Sequence, residues 1–272
     1  MTPSPERPAE AGERPPISCY IRTLNEENRI GAAVLAAFQV AREVVVVDSG
    51  STDGTVAAAE ATGARIVKQP WLGGGHQKRV GEDACRHDWL LDLDADEIVS
   101  EELAQEVRAL FAGGEPDADV YRLSLVTVDP SGRVWRRARA PRRAKLYDRR
   151  KVRMPAHGAW DQFRIPPGLR VRRLRGPLLH HAFEDIAHLS RKQASAMVRR
   201  VRFLDDGRRR PVALRVWFGL PVFFLRNYLL RGQWREGRYG FLFALTTAYN
   251  HWLRYAMLYE GQRGHPDSDG SE

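Results

Sequence analysis

Between residues 17 and 111 the chain alternates apolar runs of strand type with runs of helical period, and that alternation leaves few folds open. Ile17–Leu24, Glu43–Val47, Arg65–Lys68 and Trp89–Leu93 read as strands; Asn28–Val40, Thr55–Thr62, His76–Arg86 and Ser100–Phe111 read as helices. The run Val44 to Val47 shows no polar alternation, the mark of a strand covered on both faces, as in a parallel sheet. Strand–helix–strand order with parallel strands requires right-handed crossovers and gives an α/β domain. Ser100, with Gln and Glu following it, is the expected cap of the last of these helices.

After Gly113-Gly114 the pattern changes. Val120–Val128 alternates as a strand, Asp129-Pro130-Ser131-Gly132 reads as a hairpin turn into Arg133-Val134-Trp135, and Ala144–Tyr147 is a further short strand. Residues 184–204 read as a helix with basic flanks. From Val212 to Tyr259 the chain is aromatic and apolar, with breaks expected at Pro221 and Gly232.

Charge is distributed as unevenly as pattern. Residues 17–120 hold 9 Lys/Arg against 19 Asp/Glu, whereas residues 133–175 hold 16 against 2 and residues 191–215 hold 9 against 2. Two halves of opposite sign suit different partners, and the basic half suits an anionic one. Cys19 and Cys85 are too few for a disulfide scaffold or a zinc ribbon and read as buried free thiols. Met1–Pro16, with five prolines and no apolar run, reads as a disordered tail and not as a signal peptide; residues 261–272 read as a second tail. The longest uncharged stretches, 216–225 and 239–253, fall short of a membrane span.

The densest chemistry lies in Trp89-Leu90-Leu91-Asp92-Leu93-Asp94-Ala95-Asp96-Glu97. Apolar residues drive this strand into the sheet, and its acids cluster at the carboxyl end, the edge at which open α/β sheets bind ligands. Such carboxylates repel one another unless a cation lies among them, and oxygen ligands suit Mg²⁺ or Mn²⁺ shared with substrate phosphates. Acids suiting a helix N-terminus account for Glu97, Glu101 and Glu102, but not for Asp92 and Asp94 within the strand. A second strand ends in Asp48-Ser49-Gly50-Ser51-Thr52-Asp53-Gly54-Thr55, where Asp48 either accepts from a nucleoside ribose or base or simply caps a β–α turn. The loop has neither Gly-x-Gly-x-x-Gly nor a P-loop Lys. The first strand ends in Thr23-Leu24-Asn25-Glu26-Glu27, where Thr23 and Asn25 are also natural helix caps.

In order, spacing and strand context, Thr23–Glu27, Val44–Thr55 and Trp89–Glu97 resemble the nucleotide-sugar-binding half of the family 2 inverting glycosyltransferases, which have the GT-A fold. Residues 226–260 are similar to the C-terminal region of the bacterial lipopolysaccharide-core and cell-envelope glucosyltransferases, so the resemblance spans nearly the whole chain. It implies that Thr23, Asn25, Glu26 and Asp48 contact uridine. It also implies that Asp94 and Asp96 hold a divalent metal on the donor diphosphate, and that Lys78, after Gly73-Gly74-Gly75, contacts the donor. Arg79 stands where the family often has Asn. In His157-Gly158-Ala159-Trp160-Asp161 the resemblance puts Asp161 in the place of the family's basic Glu; a salt bridge to Arg164 or another arginine is the alternative, and Glu184 or Asp185 the competing bases. Gly176-Pro177-Leu178-Leu179-His180 resembles the family's Gly-x-Leu-x-His, which makes His180 a third metal or diphosphate ligand.

The aromatic, arginine-flanked region 212–260 suits a headgroup interface on one face and core closure on the other. The expectation is thus a mostly parallel, Rossmann-like sheet flanked by helices, with residues 17–120 on the nucleotide-sugar side, 121–211 on the acceptor side, and 212–260 a helical, membrane-associating region. The implied activity is metal-dependent, inverting transfer of a hexose, most simply glucose, from a UDP-sugar to a hydroxyl of a lipopolysaccharide-core or other envelope glycolipid at the cytoplasmic face of the inner membrane. A polyprenyl-phosphate acceptor is the alternative within the same fold. A nucleic-acid-binding protein leaves the acidic strand ends without a role, and a nucleotidyltransferase calls for a Gly-rich basic loop after the first strand.

Overall fold

The computed structural model describes residues 14–158, 160–201 and 212–263, so most of both tails and part of the 191–215 basic block lie outside the described residues. The chain divides into two compact units, Met1–Thr127 with Ala140–His181, and Val128–Arg139 with Ala182–Glu272.

The first unit carries β1 (Ile17–Thr23), α1 (Glu27–Ala37), β2 (Glu43–Asp48), α2 (Thr55–Ala61), β3 (Arg65–Lys68), α3 (Gly74–Ala84), β4 (Trp89–Asp94), β5 (Glu97–Val99), α4 (Glu101–Phe111), β6 (Val120–Thr127), β7 (Arg142–Asp148) and β8 (Val171–His180). They form one sheet in the order β3-β2-β1-β4-β7-β6-β8-β5. β1, β2, β3 and β4 run parallel, as the alternation requires. β4–β7, β6–β7 and β5–β8 are antiparallel, and β6–β8 is parallel. The valines of β2 are buried on both faces, and Ile17, Cys19, Ile21, Leu91 and Leu93 fill the main core with α1 and α4. Ser100 caps α4 by accepting the Leu103 N–H at 3.1 Å. Cys19 and Cys85 are buried free thiols, and burial pushes both up, Cys85 to about 12.

Two strands were not expected. β8 contains Arg172, Arg173, Arg175 and Pro177, a composition that argues against a strand. It forms because its polar groups find partners. Arg172 pairs with Asp117 at 2.5 Å, the Arg175 and Gly176 N–H groups both donate to Glu106 at 2.8 Å, and a bulge against β6 absorbs Pro177. β5 is only three residues, paired to β8 through Glu97 and His180, Ile98 and Leu179, and Val99 and Leu178.

The second unit carries α5 (Ile186–Val201), α6 (Val212–Leu225), a π-helical turn (Arg226–Leu230), a 3₁₀ turn (Gln233–Glu236) and α7 (Gly237–Arg263). Residues 128–139 join it, so the two compact units meet in sequence after Thr127, Arg139 and His181. The reason is Trp135, which packs against Phe183 and Phe243 at ring distances of 6.5 and 5.4 Å, while its indole N–H donates to Asp129 at 3.0 Å. The Asp129–Gly132 turn forms, but it leads to the single bridge Val128–Val134 and not to a hairpin strand. Pro221 does not break α6; its own N–H is missing, and it lies on the helix's exposed side. Gly232 does end the segment, in the left-handed region at φ 73°. No helix among the described residues is long and apolar enough to cross a membrane.

Candidate functional site

The parallel register brings three strand ends to one edge. Thr23 lies opposite Asp48, and Arg22 lies opposite Asp94. The loops that follow β1 and β2 are stitched to one another. Asn25, at φ 53°, accepts the Thr52 N–H at 2.9 Å and gives its own N–H to Ser51 Oγ at 2.9 Å. The Glu26 N–H donates to Thr55 Oγ1 at 2.7 Å, and the Glu26 carboxylate pairs with Arg29 at 2.5 Å. The buried Asp48 carboxylate accepts from the Gly50 and Ser51 N–H groups and the Ser51 hydroxyl. Asn25, Glu26 and Asp48 therefore spend hydrogen bonds on shaping the loops themselves. Thr23 is different: its buried Oγ1 has no partner among the described residues, an orphaned group at the strand end.

Arg22 is the centre of the charged cluster. Its Nε donates to Asp94 Oδ1 at 2.6 Å, and its Nη2 reaches both Asp94 Oδ2 at 3.3 Å and Asp161 Oδ2 at 3.0 Å. One guanidinium thus joins a β4 carboxylate to a carboxylate 67 residues further along the chain. Burial pushes the Asp94 and Asp161 carboxyls up, but the charges of Arg22 and Lys78 outweigh it, so both lie below the ordinary aspartate range.

Asp161 reaches this position because its loop is fastened to α3. The Gly74 N–H donates to the Gly158 carbonyl and the Gly75 N–H to the His157 carbonyl, each at 3.0 Å. The approach is too close for side chains. A Cβ on Gly75 would lie 2.1 Å from the Trp160 carbonyl oxygen, and one on Gly73, already at φ 117°, would lie 2.4 Å from Gly158 Cα.

Beneath the cluster lie four buried charges. Lys78 is not on the cleft surface. It is 1% exposed, with its ammonium 2.8 Å from Asp92 and 3.8 Å from Asp94. Lys145 lies 2.7 Å from Glu97 and 3.6 Å from Asp92. Glu97 also accepts the Asp94 N–H at 2.9 Å, which fixes the turn that carries Asp94 and Asp96. Asp92, inexplicable as a helix-end acid, is the carboxylate between two buried lysines. Lys145 carried no sequence signal beyond the basic composition around it, and Arg22 none that marked it as a charge centre; the pairing of β1, β4 and β7 reveals them.

The three expected metal ligands are not drawn together. His180 Nε2 is 3.4 Å from Asp96 Oδ2, because β5–β8 pairing sets His180 beside the acidic turn, and the His181 N–H donates to the Asp96 carbonyl. Asp94 turns instead to Arg22 on the neighbouring strand. Among the described residues no group of three or more His, Cys, Asp or Glu side chains is arranged as a metal site. The donor set of two carboxylates and an imidazole still suits Mg²⁺ or Mn²⁺ chemically, and the Asp96–His180 spacing is that of neighbouring ligands on one ion. His181 is held down in pKa, first by burial and then by His180 and Arg29. Of the competing bases, Asp185 accepts the His188 N–H at 2.6 Å and so caps α5; Glu184 precedes it in the second unit.

The family model described as "Glycosyl transferase family 2" matches residues 18–173. An uncharacterized glycosyltransferase of Rickettsia bellii (strain RML369-C) is 30% identical over 260 residues, covering 90% of this chain and 86% of the relative. The lipopolysaccharide core biosynthesis glycosyltransferase LpsC of Rhizobium meliloti (strain 1021) is 28% identical over 253 residues, covering 90% of this chain and 92% of LpsC. The crystal structure of glucosyl-3-phosphoglycerate synthase from Mycobacterium tuberculosis with Mn²⁺, UDP-glucose and glycerol 3-phosphate shares 32% identity over 32% of this chain and 36% of its own, with a TM-score of 0.28.

Proposed function

Because the chain belongs to glycosyl transferase family 2, we propose that it is an inverting hexosyltransferase that uses a UDP-sugar, with glucose the first candidate, and a hydroxyl of a lipopolysaccharide-core or related envelope glycolipid. The observation that carries this reading is Arg22 bridging Asp94 and Asp161 at the carboxyl edge of the GT-A sheet. It brings a candidate base beside the acidic turn on which the family's chemistry depends. The relationship to LpsC along nearly the full length of both chains supports the lipopolysaccharide-core acceptor.

Asp161 accepts the proton of the acceptor hydroxyl as that oxygen attacks the anomeric carbon. A single in-line displacement inverts that centre, so an α-linked donor gives a β-linked product. Lys78 and Arg22 outweigh burial and hold the Asp161 carboxyl below the ordinary aspartate range, so it is ionised and free to accept a proton at neutral pH, as a weaker base than an ordinary aspartate. Thr23, with its orphaned hydroxyl, and Asp48, Asn25 and Glu26, through the loops they shape, form the nucleoside side. Lys78 supports Asp94 from below. Asp94, Asp96 and His180 are the residues that would hold a divalent cation, and such a cation offsets charge growing on the departing diphosphate. The basic segments suit the phosphates of the acceptor and a peripheral position at the cytoplasmic face of the inner membrane.

A donor screen tests the proposal. Purified protein with Mn²⁺ and a panel of UDP-, GDP- and dTDP-sugars is scored for donor binding and hydrolysis. A UDP-hexose is expected to give the strongest response, abolished by Asp96→Asn. Preference for another nucleotide, or full activity in excess chelator, would sink the donor or the metal part respectively.

A further inference from the structure

The second unit carries a surface that donor chemistry does not use. Along α6 and the π-turn after it, Trp217, Phe218, Val222, Leu225, Leu229 and Leu230 are each 51–76% exposed. Phe218, Val222, Leu225 and Leu229 recur at intervals of four, three and four residues and form one stripe, with Trp217 and Leu230 adjoining its two ends. The opposite face is already occupied by α7. The Trp252 indole donates to the Val216 carbonyl at 2.7 Å, Phe223 stacks on His251 and Tyr255 at 5.2 and 5.9 Å, and Arg215 donates to the Tyr255 hydroxyl at 2.8 Å. The more apolar side of the helix is thus the side turned away from its own core. From Val212 to Arg235 the chain contains four arginines and no acid.

At the C-terminal end of the stripe the positive charge is concentrated. The Arg139 N–H donates to the Arg231 carbonyl at 2.8 Å, and Arg136, Arg137, Trp234 and Arg235 line an open cleft of about 760 Å³. Among the described residues, Arg137, Arg139, Arg226, Arg231 and Arg235 form no ion pair with an acid. The nearest acid, Glu236, is 2% exposed and turned inward to the Arg137 and Ala138 N–H groups and to Arg133. Burial and then the neighbouring Arg226 and Arg139 lower the Arg231 guanidinium, as expected of cations crowded without a counter-charge.

From this combination we infer that the α6 stripe lies in the surface of an anionic bilayer, with Arg226, Arg231 and Arg235 on lipid phosphates at its end. Two features of the structure favour this occupant. An acidic protein would meet a stripe whose one hydrogen-bonding side chain is the Trp217 indole, whereas acyl chains need none. At about 1.5 Å rise per residue, the 14 residues of α6 are shorter than the roughly 30 Å hydrocarbon core, so the helix fits in the plane of the interface and not across it. The inference deepens the membrane-surface part of the proposed function and rests on that part alone, since donor turnover involves none of these residues.

The test is sedimentation of the full chain with vesicles of phosphatidylcholine alone and with roughly 30% phosphatidylglycerol added, with donor hydrolysis measured on the same samples in solution. The wild type is expected to partition at least about ten-fold more strongly to the anionic vesicles, and less so as salt rises. Removing all three charges in Arg226→Gln, Arg231→Gln and Arg235→Gln together should weaken partition by about 100-fold, since each arginine near such a surface contributes about five-fold. Trp217→Ser with Leu230→Ser, both at exposed sites that leave folding intact by circular dichroism, should abolish the binding that survives high salt. Equal partition to both vesicle types, or none, overturns the inference. So does a wild-type dimer that Trp217→Ser converts to monomer without any vesicle binding. Vesicle binding without donor hydrolysis would instead remove the transferase reading and leave this one standing.

Discussion

Removing the Arg22 guanidinium would leave the Asp94 and Asp161 carboxylates side by side without the cation that now joins them. Asp161 sits below the ordinary aspartate value because Lys78 and Arg22 outweigh its burial. The sign follows: Asp161 remains a base as pH falls through the usual carboxylate range, and the acid limb of kcat lies below that range. In Arg22→Met the limb should move upward, because burial and repulsion from Asp94 then count for more; a limb that does not move would show that Asp161 is not the titrating base. Asp161→Asn should lower turnover by roughly 10²-fold or more, with UDP-sugar binding near wild type. An active Asp161→Asn beside an inactive Glu184→Gln would transfer the role to Glu184. The acids themselves were legible in the sequence, because a strand followed by carboxylates is a local pattern. Arg22 was not, since it stands one residue before a recognisable string, and its partners are chosen by strand register and by a loop nearly 140 residues away.

Elements, more than single residues, decide whether those groups meet. The Gly73–Gly75 run has the look of a phosphate loop, but two of its N–H groups are already given to the 157–158 carbonyls. It is a clasp for the Asp161 loop. Gly75→Ala would set a Cβ against the Trp160 and Pro155 carbonyl oxygens, so the loop must shift. Stability should fall by about 1–3 kcal/mol, the usual cost of overpacking, while turnover falls further than donor affinity. Equal losses in kcat and donor affinity would count against the clasp. β4 and β7 pose the opposite problem, for the buried acids Asp92 and Glu97 are paired with the buried lysines Lys78 and Lys145. Lys145→Met leaves Glu97 and Asp92 buried without it and should cost about 3–5 kcal/mol in urea unfolding. Adding Glu97→Gln should return part of that loss. Strand β7 was expected from the run around Ala144–Tyr147, yet the inward direction of Lys145 is set by its partner strand. β5 and β8 were missed for a related reason: their stability comes from Glu106, Asp117 and the β6 bulge, none of which is local to them.

At the scale of the whole chain, the division of charge was visible at once and the division of structure was not. Counting residues separates an acidic 17–120 from a basic 133–175, but the compact units are drawn by Trp135, which carries residues 128–139 into the second unit. The charge division still makes an expectation about salt. Donor-side groups such as Arg22 and Lys78 are largely or wholly buried, and buried charges are poorly screened. The arginines of the basic segments include many that are exposed, among them Arg137, Arg143 and Arg172. Raising salt from about 0.05 to about 0.5 M, which shrinks the Debye length several-fold, should therefore raise KM for a phosphorylated glycolipid acceptor by about ten-fold or more while the KM for the UDP-sugar changes far less. Initial-rate kinetics with each substrate varied in turn measure both. A donor KM that rises in step with the acceptor KM would mean that the nucleotide is held by the exposed arginines, and the assignment of the donor to the β1, β2 and β4 ends would fail with it.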